Sequence, residues 1–452
     1  MSTYLYELPT TGAISFGDFC IDRTNSYTIQ IAECTQARAN LRAALKESKR
    51  TDGEKDYLKL VKVLDDYLPH LCGIMASFDA DEITLSSEPV FSWRTTLSAN
   101  LFNNSPRQSI SSLNADLAFT LLTYAFALSN LARSTVAALG NYEHQRAISE
   151  VERKAKDEKL NFSVTLLCKA SGIFAHISEH LLPEWDKNGG SVINKPPDLT
   201  PEVTSALSKM ALADAQTLAI RKLLSKSAYD SVVAPGPPLP QSHPSPALIA
   251  KLYLECATLY ASARSLAKTP GKAKTKDTDE VSPELRRYLA DEEQFCGALA
   301  RKWLGVDAGE NGGEAKGGES VGFLAWAKAE LDELKDGGRG VNIGKGKEKK
   351  ERRKEKVVEE LESVNVFLKN FRKMNDTLHF QPVPSMADLQ STIPAGRMAV
   401  AIRLYTLPLP AFGPGSVEYT RRQVDEMASL GDETKDADSS PTVSYAGAGQ
   451  YF

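Results

Sequence analysis

From residue 26 onward, apolar side chains recur at three- and four-residue spacing, which predicts helices over 32–48 and 57–78. The plainest case is 117–139. Leu117, Leu121, Tyr124, Leu128, Leu131 and Thr135 recur on one face, and Lys, Glu and Asp are almost absent around them. That pattern predicts a helix buried on most sides. Further helices are predicted over 142–158, 162–182, 201–224, 245–267, 283–303, 321–334 and 348–374. Thr200 followed by Pro201 is a helix-start signal, because proline at the first helical position gives up an N–H that has no partner anyway. The first 20 residues read differently. Tyr4, Tyr6, Ile14, Phe16 and Phe19 alternate with polar or turn residues, and Pro9 and Gly12 interrupt the run, so short strands are expected.

Four stretches break the helical texture, near 225–246, 268–282, 305–320 and 336–356. The first has six prolines over 235–246, the second is rich in Lys and Thr, and the third in Gly and Glu. The fourth runs from glycines into KGKEKKERRKEK. Such compositions cannot bury a core, so solvated loops, or in the last case a solvated helix, are expected. The mixed signs of that last block favour an exposed helix face over a site for RNA or acidic lipid. One domain over 1–405 is expected, followed by a structureless tail over 406–452 that ends in SSPTVSYAGAGQYF.

Composition removes several function classes. The net charge of −4 gives no basic field for nucleic acid. Met1 to Phe19 lacks a basic region followed by an apolar core, so no secretory signal is read there. No run approaches the roughly 18 apolar residues that a spanning helix needs, so membrane contact is expected to be peripheral, through partners. The cysteines, Cys20, Cys34, Cys72, Cys168, Cys256 and Cys296, form no CxxC pair, and reduced thiols are expected.

One catalytic pattern is present. His176-Ile177-Ser178-Glu179-His180 matches H-x-x-E-H, the inverted zincin arrangement. On a helix the two histidines share a face, which suits two imidazoles on one zinc. A third ligand would have to come from downstream, with Glu255, Asp291, Glu292 and Glu293 as candidates by type. The competing reading is two histidines on a partly exposed helix. A zinc hydrolase is therefore the rival to the non-catalytic reading, which expects no cofactor.

The stronger signal is apolar helical surface. Over 245–267, Leu248, Leu252, Leu259, Ala263 and Leu266 fall together, and Ile249, Tyr253, Cys256 and Tyr260 widen the arc to about 140°. One-sided packing needs about 100°. The helix over 201–224 has two stripes: Val203, Leu207, Met210, Ala211 and Leu218 on one side, and Leu212, Ala219 and Leu223 nearly opposite. Such a helix is either sandwiched between neighbours or leaves one stripe open. A groove lined by Leu223, Leu248 and Leu252 and rimmed by Lys222 and Lys251 would suit an amphipathic helix with acidic flanks.

Several short stretches, in order along the chain, resemble the Bro-domain family of Bro and Alix proteins. Phe91-Ser92-Trp93-Arg94 resembles its aromatic–Trp–basic motif, and Cys168 to Phe174 its A-S-G-x-F helix. Leu212-Ala213-Asp214-Ala215-Gln216 resembles its L-A-Q-A-Q stretch, and Ala247 to Leu252 its A-x-I-A-K-L helix. Asn375 to Phe380, followed by Val383-Pro384, resembles its N-D-x-I-Y segment and V-P. The resemblance implies a mostly α fold: a curved, banana-shaped helical solenoid with a TPR-like core and a small N-terminal β-sheet.

It also implies a scaffold without catalysis, whose concave face binds the C-terminal amphipathic helix of the polymer-forming ESCRT-III subunit. By the matched motifs the apolar contacts fall on Leu248, Leu252 and Ala219, the last replacing an aromatic residue. A charged pair falls on Asp157 and Asn161, where Asn161 lacks the charge. A tyrosine of the family stands here as His379. Among family members this short chain is most similar to those of alkaline ambient-pH signalling in filamentous fungi. That implies a cytoplasmic adaptor recruited to plasma-membrane or endosomal sites. It would link a pH-sensing complex to the proteolytic activation of a transcription factor, with other pH-signalling components as further partners.

Overall fold

The computed structural model describes all residues except 1–2, 24, 52, 100–104, 146, 189–194, 232–235, 269–279, 337–346 and 437–452. Much of the second insert and part of the fourth lie outside the described residues. By packing, the chain divides into two compact units: residues 1–13, 42–64 and 90–406 in one, and 14–41, 65–89 and 407–452 in the other.

Helices dominate the first unit. After α1 (Thr28–Arg50) and α2 (Tyr57–Asp79), which contribute residues to both units, come α3 (Leu113–Leu139), α4 (Glu150–His176) and the short α5 (Leu182–Lys187). Then follow α6 (Pro201–Ser231), α7 (Pro246–Lys268), α8 (Pro283–Asn311), α9 (Gly317–Asp336), α10 (Lys347–Met374) and α11 (Met386–Thr392). The long helices stack in chain order: α3 on α4, α4 on α6, then α6, α7, α8, α9 and α10 each on the next. This is the nearest-neighbour packing of a helical solenoid. As the sequence predicts, α3 is buried on nearly every side. It is apolar enough to span a bilayer by composition, but it is a core helix, mostly inside the fold.

Strands are few. The described strands pair as three antiparallel two-stranded sheets: β1 (Cys20–Asp22) with β2 (Ile83–Leu85), β3 (Val90–Arg94) with β5 (Arg107–Ser111), and β4 (Ser98–Ala99) with β6 (Glu280–Val281). The aromatic–Trp–basic motif is β3, where Phe91 and Trp93 alternate inward. The Trp93 indole N–H donates to the Asp116 carboxylate of α3 at 2.7 Å, and its ring stacks on Phe119. The expected strands before residue 20 are otherwise absent among the described residues. Residues 3–10 run without a ladder, and Thr11 makes one isolated bridge to Trp93. Alternation fails as a guide because a helix side chain replaces the strand partner. The Asn130 amide accepts from the Tyr6 N–H and donates to its carbonyl, both at 2.9 Å.

Other boundaries also move. The predicted helices 142–158 and 162–182 become a single turn at Tyr142–His144 followed by one continuous α4, capped by the Ser149 hydroxyl on the Glu152 N–H. The Gly-rich stretch near 305–320 is not a solvated loop. A Cβ at Gly305 would meet Leu324 Cγ at 2.7 Å and the Ser320 carbonyl at 3.1 Å, and the Ser320 hydroxyl donates to the Gly305 carbonyl at 2.7 Å. These glycines let α8 and α9 approach closely, a role composition cannot separate from looping.

In the second unit β1 and β2 pair with Cys20 opposite Leu85 and Asp22 opposite Ile83. The tail is structured well past 406. The Ala411 N–H donates to the Pro69 carbonyl at 2.9 Å, Phe412 packs on Gly73, and a further helix, α12, spans Val417–Asp436. The Tyr419 hydroxyl donates to Glu82 at 2.9 Å.

Candidate functional site

The predicted docking residues lie on three helices of the first unit that pack side by side: α4 on α6 and α6 on α7. The first stripe of α6, Val203, Leu207, Met210, Ala211 and Leu218, is buried throughout. The second begins buried at Leu212, is half-covered at Ala219 and emerges at Leu223, 42% exposed. Helix α6 is thus sandwiched along most of its length and open only in its last turns. Beside it on α7, Leu248 is half-buried and Lys251 is exposed. On α4, Asn161 is exposed, and Lys222 of α6 reaches Glu158 of α4 at 3.8 Å. Sequence reasoning missed one exposed apolar side chain on α4: Phe162, 50% exposed, next to Asn161. Its signal was a lone aromatic after the polar run Asp157 to Asn161.

Two predicted contacts are not on this surface. Leu252 is only 3% exposed and is no open anchor. An extended strap over 393–410 returns across the helices at this point. The Arg397 N–H donates to the Lys251 carbonyl at 2.9 Å. The Gln216 amide donates to the carbonyls of Leu252 (2.8 Å) and Arg397 (3.2 Å) and accepts from the Ala399 N–H (2.9 Å). Further along, the Arg403 N–H donates to the Cys168 carbonyl at 3.2 Å. Glycines make this approach possible: a Cβ at Gly172 would stand 1.7 Å from the Arg403 carbonyl oxygen. The strap presents its own apolar groups outward, Leu404 most of all.

Asp157 is the second correction, because it is buried. Its carboxylate accepts from the Tyr142 hydroxyl at 2.5 Å, from Arg153 at 2.8 Å and from the Ser225 hydroxyl at 3.0 Å. Burial, and then the bond to Asp157, raise the Tyr142 pKa. Nearby, Arg221 grips Glu143 at 2.7 and 2.9 Å. Burial alone would raise the Glu143 pKa, yet the guanidinium prevails and lowers it. These charges fasten α4 and the Tyr142–His144 turn to α6 rather than facing a partner, since buried ions need partners in place.

The geometry brings no third ligand to the zinc reading. His176 and His180 have ring centroids 5.5 Å apart, across the junction of α4 with a π-turn at Ile177–Leu181. Tyr405 of the strap meets His176 edge-on. The proposed third ligands are engaged elsewhere: Glu255 lies against Gly396, Asp291 and Glu292 face Arg353, and Glu293 pairs with Arg264. Among the described residues no group of three or more His, Cys, Asp or Glu is placed to hold a metal ion.

Comparison with known proteins agrees with this architecture. A family model described as BRO1-like domain matches residues 19–419. The pH-response regulator protein palC of Cryptococcus neoformans is 37% identical, with all of both chains covered. The protein of that name from Emericella nidulans is 25% identical, over 92% of this chain and 90% of its own. Among solved structures, an ALIX BRO1 CHMP4C complex aligns at a TM-score of 0.59 and 18% identity, over 91% of this chain and 98% of that one. A structure describing endosomal targeting by the Bro1 domain aligns at 0.56 and 18% identity, over 90% and 94%.

Proposed function

The chain belongs to the BRO1-like domain family, and from that premise we propose that the α4, α6 and α7 surface docks the C-terminal amphipathic helix of the polymer-forming ESCRT-III subunit. Its relatives are pH-response regulators, and the chain is a non-enzymatic adaptor of pH signalling. The observation that carries the docking assignment is the emergence of one apolar stripe where a closed stack would bury it. Leu223 is exposed near the end of α6 and Leu248 is half-buried near the start of the adjacent α7, with Lys222 and Lys251 on the same two helices. Leu252 then acts as floor, and Ala219 as a shallow seat for a partner side chain. The fold shared with the solved ALIX BRO1 CHMP4C complex supports an ESCRT-III subunit as occupant. In this reading the adaptor brings an ESCRT-III polymer to a pH-sensing complex, recruited from the cytoplasm to plasma-membrane or endosomal sites, where the regulatory transcription factor is proteolysed.

The test is binding of a fluorescent peptide of that helix. Replacing Leu223 and Leu248 together by Asp should weaken binding at least about thirtyfold, since two central apolar anchors contribute roughly 1–3 kcal/mol each. The circular dichroism should stay helical. Unchanged binding would remove the assignment, and unfolding would mean the stripe is core.

A further inference from the structure

A second apolar display stands at the far end of α10, outside the surface just described. The helix ends in a π-turn, Asn375–His379, and Phe380 follows in the left-handed region at φ 53°. Phe380 is 74% exposed and Leu378 68%, and Val383 and Met386 are also largely exposed. Four large apolar side chains thus face water within nine residues.

This turn is rigidly built. Asn375 is buried; its side chain accepts from the Gln381 N–H at 3.2 Å and donates to the Gln381 carbonyl at 2.9 Å. The Phe380 N–H donates to the Asn375 carbonyl at 2.7 Å. Two glycines at the start of α9 receive it: a Cβ at Gly317 would meet the Asn375 side-chain oxygen at 2.5 Å, and one at Gly318 the Pro382 carbonyl at 2.0 Å. Phe380 thus takes the left-handed cap conformation that glycine or asparagine usually holds, while its ring stays largely in water.

Beside the turn, α9 and α10 flank a groove lined by Lys328, Asp332, Lys369, Arg372, Lys373 and Asp376, among others. Lys328 is partly neutralised by Asp332 at 3.5 Å. The last turns of α10 then set three cations against the single carboxylate of Asp376. Leu378 and Phe380 do not line this groove. The apolar part of its lining is Ala325, Ala329 and Leu368, a short floor for a partner helix inside a charged rim. Projecting apolar groups beside cations instead match the interface of an anionic bilayer, where rings enter the acyl boundary and cations meet headgroup charge.

We propose that the turn 375–386 is a direct docking point for an anionic lipid bilayer, so that membrane contact is not borrowed wholly from partners. The full chain should co-sediment with vesicles of phosphatidylcholine and phosphatidylserine about tenfold more than with phosphatidylcholine alone, and less so in high salt. Phe380→Gly suits the left-handed backbone, so the fold is kept while the ring is lost, and binding should drop about tenfold. Lys369→Glu with Arg372→Glu and Lys373→Glu should abolish the preference for phosphatidylserine, with the thermal melt recorded alongside. Equal, weak sedimentation with both vesicles would overturn the proposal and leave the turn as a protein-docking surface; so would wild-type behaviour of Phe380→Gly. ESCRT-III peptide binding should be unaffected by Phe380→Gly, so this proposal and the docking assignment stand or fail separately.

Discussion

The surface on α4, α6 and α7 and the turn after α10 both present leucine and phenylalanine to solvent, but by opposite means. On the first, the side chains belong to regular helices, so each one's exposure depends on what lies beside it. The strap crosses at Lys251 and Gln216, and Leu252 is sealed where Leu248, one turn earlier, is half open. On the second, the polar backbone clamp at Asn375 fixes the chain, and the apolar groups are not needed for cohesion. Apolar surface can thus be left open either where a stack runs out of neighbours or where hydrogen bonds hold the backbone instead. Only the first kind shows as helical periodicity.

Substitutions can break this contrast, the strongest first. Leu252→Ala should cost about 2–5 kcal/mol of stability, as buried leucines do, read as a shift in urea midpoint. Leu248→Ala should cost far less stability and act mainly on partner binding. Equal losses would place both leucines in the core. Gly172→Ala comes next. Its Cβ cannot fit against the Arg403 carbonyl, and forcing it should cost about 1–3 kcal/mol. Hydrogen exchange should quicken at the strap amides of Arg397, Ala399 and Arg403, while those at Phe380 and Gln381 keep their protection.

The most gradual effect is a slope with pH. Asp214 on α6 is buried beneath the first surface and accepts from the hydroxyls of Tyr260 (2.5 Å) and Tyr288 (2.6 Å). Burial raises its pKa to about 7, the two tyrosine bonds oppose the rise, and Glu292 adds to it. The folded state therefore keeps a proton that the unfolded chain releases near pH 4. Stability should fall as pH climbs from about 4 to 7, by at most about 1.4 kcal/mol per unit for one proton. Asp214→Asn should flatten that slope in urea melts at several pH values. The turn clamped by Asn375, which does not titrate, has no such term of its own.

Much of this was readable from periodicity and motif. The long helices and the Pro201 start follow from local spacing and residue type, and so does the excess of apolar surface on α6 and α7. The misses share a cause. Asp157 was placed on the partner face by the resemblance alone, yet Tyr142, Arg153 and Ser225 enclose it. Gly305 looked like a loop residue because small side chains mark both turns and close helix crossings. Phe162 is a single residue with no periodic companion.

The order of side chains along the chain determined the helices, which faces are greasy, and that two of them carry more apolar area than one-sided packing consumes. Tertiary structure alone decided which part of that area stays wet. Burial depends on chain far away in sequence: a strap more than 140 residues downstream passes over α7 at Lys251, beside Leu252, and two glycines of α9 seat the turn that lifts Phe380 into solvent. Local periodicity records the faces of a helix but not its neighbours, and the neighbours set how much water each face keeps.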